Sequence, residues 1–467
     1  MTIHSLRHEL SALLGLALPI LVAQLAGTAM GFADTLMAGR ASAQDLAAVA
    51  LGNALWLPLF LLMNGILLAV SLQVSRLDGE QRPEAIGPLT GQALWLGLGL
   101  GLLCGLLLHQ ADWLLAQMTI DPALRQLTGD YLAAIGWGFP GMGLYQVLRC
   151  LSDGLGRPQP GMLAGLGGLL ANILLNALLI YGQAGLPRLG ATGCGWATSL
   201  AALGMLLAMT GWISRAACYR PCQLRQGLRW PKGPALRALL GLGLPVGVAI
   251  FAEISLFSVI ALLIADWGEA AVAGHQIALS VTSVVFMVPL ALGMAITLRV
   301  GQALGRREPG QARLTARTGL GMALVYASLS ASLIALFSSP LASLYNQDPQ
   351  VIRTAVGLLQ LAALFQFSDG LQIAAAGALR GYQDTRAIML LTLVAYWLVG
   401  LPLGSLLGLT DWLGPARGPR GLWMGLVAGL SSAALLLGLR LRYRARRETA
   451  LFRPGAAAER HSPAEKD

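Results

Sequence analysis

The stretch SALLGLALPILVAQLAGTAMGFADTLMA, residues 11–38, contains one charged residue, Asp34. It is longer than the roughly 20 helical residues that cross a hydrocarbon core of about 30 Å. Arg7 precedes it and no small-residue cleavage site closes it, so it reads as a retained first membrane helix and not a signal peptide. Eleven similar segments follow, near 46–75, 89–109, 127–151, 161–182, 190–213, 237–264, 272–300, 317–339, 353–379, 388–409 and 421–439. They are apolar on every side, whereas barrel strands alternate, and this excludes a β-barrel. With 56% hydrophobic and 12% charged residues and a mean hydropathy of +0.66, the chain is too poor in charge to cover a soluble surface. The expected fold is an all-α integral membrane protein of twelve transmembrane helices.

A net charge of +10 invites a nucleic-acid reading, which the placement of the charges overrules. With twelve spans the loops alternate between two sides. All of the 32 Lys and Arg but Arg40, Arg125, Arg188, Arg353, Arg417 and Arg420 fall on the side that holds both termini. That asymmetry is the positive-inside rule, and it predicts cytoplasmic termini. Residues 214–237 form the one long polar interruption, rich in Arg and without an acid. The expected organisation is therefore a six-helix half at 1–213, a basic cytoplasmic linker at 214–237, a second six-helix half at 238–441 and a disordered tail at 442–467. Of the five cysteines, Cys218 and Cys222 lie in the linker with no histidine beside them, and they read as free thiols and not a zinc site.

The halves match weakly as sequence. An offset of 226 aligns Leu18-Pro19 with Leu244-Pro245 and Gly79 with Gly305. An offset of 231 aligns Leu148-Arg149 and Asp153 with Leu379-Arg380 and Asp384. The Arg-x3-Asp repeat reads as head-group anchoring plus a helix-end ion pair. Because each half has an even number of spans, the second enters the membrane in the same sense as the first. The repeats are parallel, which is transporter architecture.

Three acids lie well inside apolar segments: Asp34, Glu253 and Asp369. A carboxylate at the bilayer centre costs at least about 2.5–3.5 kcal/mol by insertion scales, so something must offset it. No Lys or Arg is expected at comparable depth, so a buried ion pair fails and an ion-coupling role remains. Such a carboxylate suits a proton, or a hard monovalent cation together with neutral oxygen ligands. By the two offsets Asp34 corresponds to Ile260, Glu253 to Gly27 and Asp369 to Gly138, so the scaffold repeats and the chemistry does not. Asn172 and Asn176 share one helix face, either as neutral ligands for Na+ or as a helix–helix hydrogen-bonding device. His275 reads as packed or interfacial. The chain has no phosphate-binding loop, no nucleophile elbow and no paired-histidine metal motif, which excludes direct use of ATP and disfavours an enzyme.

Phe32-Ala33-Asp34-Thr35-Leu36-Met37-Ala38-Gly39 resembles the opening signature of the multidrug and toxic compound extrusion (MATE) family, and Ala273-Gly274-His275-Gln276-Ile277 is similar to another of its motifs. Gln366-Phe367-Ser368-Asp369-Gly370 with Gly377-Ala378-Leu379-Arg380-Gly381-Tyr382-Gln383-Asp384 resembles its bacterial NorM-type branch. The resemblance covers about 15–440. It implies a V-shaped, two-lobe antiporter of the bacterial inner membrane that exports organic cations, including dyes and fluoroquinolones, in exchange for Na+ or H+. By matching positions it implies a first-lobe cation site of Asp34, Asn172, Asn176 and Thr198, and a second-lobe site of Glu253 and Asp369; either set is a candidate for Na+. Phe365, one turn before Asp369, is placed either to meet a cationic drug by its ring face or to pack. The expected partners are small organic cations and membrane lipid. Neither nucleic acid nor ATP is expected, nor any cofactor beyond the coupling ion, and the chain should act as a monomer. A lipid-linked oligosaccharide flippase of the same superfamily is the runner-up, disfavoured because it would need basic residues inside its cavity. A membrane-embedded transferase would need an acid/base set that the isolated Asp112 and Asp153 do not supply.

Overall fold

A computed structural model describes residues 3–118, 120–185, 187–227, 229–412 and 414–451. They form twelve long helices: α1 (Ile3–Ala41), α2 (Ala43–Gly79), α3 (Pro83–His109), α4 (Pro122–Gly154), α5 (Gln159–Tyr181), α6 (Gly190–Arg215), α7 (Gly233–Ala265), α8 (Glu269–Gly305), α9 (Pro309–Leu336), α10 (Pro349–Gly381), α11 (Thr385–Leu409) and α12 (Pro419–Leu451). Among the described residues eleven helices are long and apolar enough to cross a membrane. The remaining one, α4, is as long but contains Arg125, Asp130, Arg149 and Asp153. The tail expected to be disordered from 442 is helical to Leu451, because α12 runs on; residues 452–467 lie outside the described residues.

Local chemistry sets the helix ends. Ser42 and Asp45 close a reciprocal cap at the start of α2, with Asp45 N donating to Ser42 Oγ at 2.9 Å and Ser42 Oγ donating to Asp45 Oδ2 at 2.7 Å. The same carboxylate accepts from Ala191 N at 2.7 Å, which ties α2 to the start of α6. Asp348 caps α10 by accepting from Gln350 N at 2.7 Å. Proline at the first turn starts α3, α4, α9 and α10, where its missing N–H costs nothing.

The duplication is written in the turns. Gln81 (φ 56°) and Arg307 (φ 61°) are both left-handed, sit 226 residues apart and each precede a helix-starting proline two residues on, Pro83 or Pro309. At the fourth helix of each half the register differs from expectation. A Cβ on Gly154 would meet Val74 and the Ser71 carbonyl, and one on Gly381 would meet Val300 and the Thr297 carbonyl. Val74 and Ser71 are 226 residues from Val300 and Thr297, so Gly154 matches Gly381, an offset of 227. The 231 register is thereby corrected: Arg380 stands opposite Asp153, and Asp369 opposite Met142 instead of Gly138. The ion pairs agree. Arg149 Nε lies 3.8 Å from Asp153, whereas Asp384 takes Arg440 at 2.8 Å and Arg444 at 3.5 Å from α12. The repeated Arg-x3-Asp is a pair in the first half only.

The chain divides into two compact units, Leu18–Asp78 with Arg82–Phe251, and Met1–Ala17 with Gly79–Gln81 and Ala252–Asp467. The first packs around Leu67, Ile86, Tyr131 and Phe139, the second around Ile260, Leu358, Tyr396 and Trp423. A division at the linker misses that α7 as far as Phe251 belongs with the first half and Gly79–Gln81 with the second, and the start of α1 also belongs with the second half. The reason is Glu9, fully buried, which accepts from Arg299 Nη2 at 2.5 Å, Arg299 Nε at 3.1 Å, Gln311 Nε2 at 2.6 Å and Thr315 Oγ1 at 2.6 Å. The linker folds into two short turns, Ala217–Cys222 and Leu224–Gly227. Burial pushes the Cys222 thiol up to about 11, which keeps it in the protonated form at neutral pH.

Gly154→Val places branched methyls where Val74 already lies 2.7 Å from the added Cβ. The expected outcome is a destabilisation of about 1–3 kcal/mol from overpacking, read as a lower Tm of the solubilised protein. An unchanged Tm would remove the close approach of α2 and α4.

Candidate functional site

In the first unit α1, α5 and α6 bring four polar side chains together. Asp34 is 5% exposed. Its Oδ1 accepts from Asn172 Nδ2 at 3.0 Å and Asn176 Nδ2 at 2.6 Å, and its Oδ2 accepts from Thr198 Oγ1 at 3.0 Å. Asn172 Nδ2 also reaches Thr198 Oγ1 at 3.4 Å, and Asn176 Nδ2 reaches Asn172 Oδ1 at 3.2 Å. The i, i+4 spacing of the two asparagines aims both amides at one carboxylate. The Asn176 Oδ1 atom is buried with no donor, an unfilled acceptor beside the charge. All partners of Asp34 shown here are neutral, so its charge is stabilised by dipoles and not cancelled. Cys194, one turn before Thr198, also lies against Asp34, and nothing in the sequence singled it out. Behind the site Tyr131 OH and Trp56 Nε1 both donate to Asn53 Oδ1 at 2.8 Å.

In the second unit α7, α10 and α11 build a different arrangement. Asp369 is buried, and its Oδ2 has no hydrogen-bond partner. Glu253 is half-buried and faces Gln372, Tyr396 and Arg380. The expectation that no base reaches the intramembrane acids is corrected here, since the buried Arg380 faces Glu253. Its place near the end of α10 suggested a loop-level residue. Residues 369 and 380 are nevertheless eleven apart, about three turns, and so share one face of the helix. Tyr396 enters from Val394–Gly400, where α11 widens into a π-helical turn, an irregularity frequent at functional sites. Gln366 Nε2, Gln372 Oε1, Arg380 Nε and Tyr396 OH are all buried without a partner. This density of unmet polar atoms marks a seam suited to internal water or an ion.

Phe365 does not present an open ring face. It is 4% exposed and packs with Phe257 (centroids 6.3 Å) and Trp423 (6.4 Å), the arrangement of the packing alternative. His275 is packed as expected, its Nδ1 accepting from Trp423 Nε1 at 3.0 Å. Trp423 itself carried no sequence signal, since one apolar tryptophan in a span looks like any other.

A twice-repeated helical membrane protein with a buried acid cluster in each half has the architecture of a transporter. The MatE family model matches residues 19–178 and again 245–406, two segments that begin 226 residues apart. The chain is 52% identical over 443 residues to multidrug resistance protein PmpM of Pseudomonas aeruginosa, covering 95% of this chain and 93% of that protein. It is 45% identical over 450 residues to multidrug resistance protein MdtK of Yersinia pseudotuberculosis, covering 96% and 98%. Its fold matches a structure described as an outward-facing multidrug resistance MATE family transporter with a TM-score of 0.85, at 21% identity and covering 96% of this chain and 98% of that one. The chain belongs to the MatE family of multidrug efflux transporters.

Asn176→Leu removes the shortest hydrogen bond to Asp34 and leaves that carboxylate under-satisfied. Loss of a buried partner of this kind costs about 1–3 kcal/mol, and it should lower the Tm at neutral pH. A Tm equal to that of the parent protein would show that the amide does not support the carboxylate.

Proposed function

We propose that this chain exports small organic cations, of the kind found in cationic dyes and fluoroquinolone-type drugs, in exchange for Na+ or H+ across a bacterial inner membrane, with both termini cytoplasmic. The observation that carries the reading is the first-unit cluster: a buried carboxylate held by three neutral side chains. A buried acid with neutral partners can take up a proton or a monovalent cation without first expelling a resident base. The oxygen set is suitable for Na+, since Asp34, the unfilled Asn176 Oδ1, Asn172 Oδ1 and Thr198 Oγ1 are hard neutral or anionic ligands. Glu253 and Asp369 form the second ion- or substrate-responsive site, with Arg380 as the built-in counter-charge to Glu253. The names of the relatives, multidrug resistance proteins, support the drug-export part of the reading.

The flippase alternative gains one observation, the buried Arg380. A single guanidinium, however, does not make the basic cradle that a pyrophosphate needs.

Asp34→Asn keeps shape and removes charge. It should reduce gradient-driven dye efflux by at least about tenfold, the scale of about 1.4 kcal/mol or more of lost coupling, with membrane expression unchanged. Full efflux would remove Asp34 from coupling. Asp369→Asn should likewise abolish efflux, and retained efflux would discount the second cluster. Proteoliposomes given an inward Na+ gradient or an inward H+ gradient separately should show drug extrusion under at least one. Extrusion under neither, or uptake by the exporting geometry, would overturn the antiport.

A further inference from the structure

The cytoplasmic linker is fixed to the protein at one place. Gln92 of α3, itself buried, donates through Nε2 to the Trp230 carbonyl at 3.1 Å and accepts through Oε1 from Lys232 N at 2.6 Å. Trp95, one turn further along α3, donates through Nε1 to the Arg229 carbonyl at 3.0 Å. Three hydrogen bonds thus hold the backbone of 229–232 in one path and turn its side chains outward. Trp230 is 85% exposed, yet its indole lies nearly parallel to that of Trp95, with an interplanar angle of 9° and ring centroids 6.3 Å apart. Arg229, Lys232 and Arg237 beside it are exposed, and no acid lies between 214 and 237. None of the three basic side chains has an ion-pair partner among the described residues.

The level of this ledge in the membrane follows from α3. The apolar run of that helix begins near residue 89, so Gln92 and Trp95 lie about 5–9 Å inside it at 1.5 Å per residue. The stacked indoles therefore stand at the boundary between acyl chains and head groups on the cytoplasmic side, where tryptophan is favoured. Arg229 and Lys232 have stems long enough to reach the phosphates above. A topology signal needs only positive charge, and a loose linker would serve. Here the backbone is instead pinned so that two cations bracket an aromatic pair.

We infer that Arg229, Trp230 and Lys232, braced by Gln92 and Trp95, form a docking ledge for an anionic glycerophospholipid of the cytoplasmic leaflet. The indole pair lies against the glycerol and upper acyl region, and the two cations bind the head-group phosphate and its net negative charge. The ledge is separate from the transport clusters and does not depend on which ion or drug is carried.

The test uses the full chain reconstituted in vesicles of phosphatidylcholine that contain brominated phosphatidylglycerol or, in parallel, brominated phosphatidylcholine. Subtracting the emission of Trp230→Phe isolates the signal of Trp230 from the other tryptophans. Brominated phosphatidylglycerol should quench that signal with an apparent preference of about tenfold over brominated phosphatidylcholine, on the scale expected for two interfacial cations. Arg229→Gln with Lys232→Gln should abolish the preference. Gln92→Leu, which frees the backbone but keeps every charge, should reduce it. Equal quenching by the two lipids, or a preference that survives the double substitution, overturns the ledge, as does a preference that survives Gln92→Leu unchanged, since that would leave bulk charge attraction as its cause. Dye efflux in phosphatidylcholine alone reports whether each variant is folded.

Discussion

A buried carboxylate must be compensated, and this protein does it in three distinguishable ways. Glu9 is ion-paired and saturated: a guanidinium, an amide and a hydroxyl occupy both of its oxygens. Asp34 is saturated by dipoles alone. Asp369 retains an oxygen with no partner, close to a second acid, Glu253, that has a base across from it. The three solutions sort the acids by use. A saturated ion pair is a fastening, costly to break and with nothing left to bind. A charge held by neutral donors, or one left short of partners, fits the ion-coupling role proposed above.

The fastening explains where the units divide. Glu9 holds the first turns of α1 to α8 and α9, while the remainder of the helix, with Asp34, packs in the other unit. One helix therefore belongs to both units, and the passage falls beside Pro19, whose missing N–H weakens the helix there. In the matched half Pro245 lies near the corresponding passage of α7. Proline at the two junctions is the same device used twice, as a duplicated chain would carry it.

Much of this was legible in the sequence because the bilayer leaves few choices. Span length and the distribution of Arg and Lys determined the helix number. The rarity of charge drew attention to Asp34, Glu253 and Asp369, and i, i+4 spacing put Asn172 beside Asn176. What stayed hidden depended on register or on reach. Two apolar helices can be slid by one turn with little change in identities, so the shared Leu-Arg-x3-Asp pulled α4 and α10 four residues out of register. Only the glycine contacts at Gly154 and Gly381 restore it. Arg380 was assigned by its Cα near a helix end, but its side chain is buried and its charge acts on Glu253. Tyr396, Gln372 and Trp423 have types ordinary enough in a span that only the packing shows what they face.

The corrected register changes how the asymmetry between halves is understood. With Gly154 matched to Gly381, Arg380 stands where the first half has Asp153, and Asp369 stands where it has Met142. Along one face of α10 the second half thus carries a base and an acid, where the matching places of α4 hold an acid, Asp153, and an apolar residue, Met142. Around Asp34 stand two amides, a hydroxyl and the Cys194 thiol. Glu253 instead has the charge of the buried Arg380 nearby. On the function proposed above, the same scaffold therefore surrounds one acid, Asp34, with uncharged side chains and places a base near the other, Glu253, so the two halves differ in their charges and not in their fold.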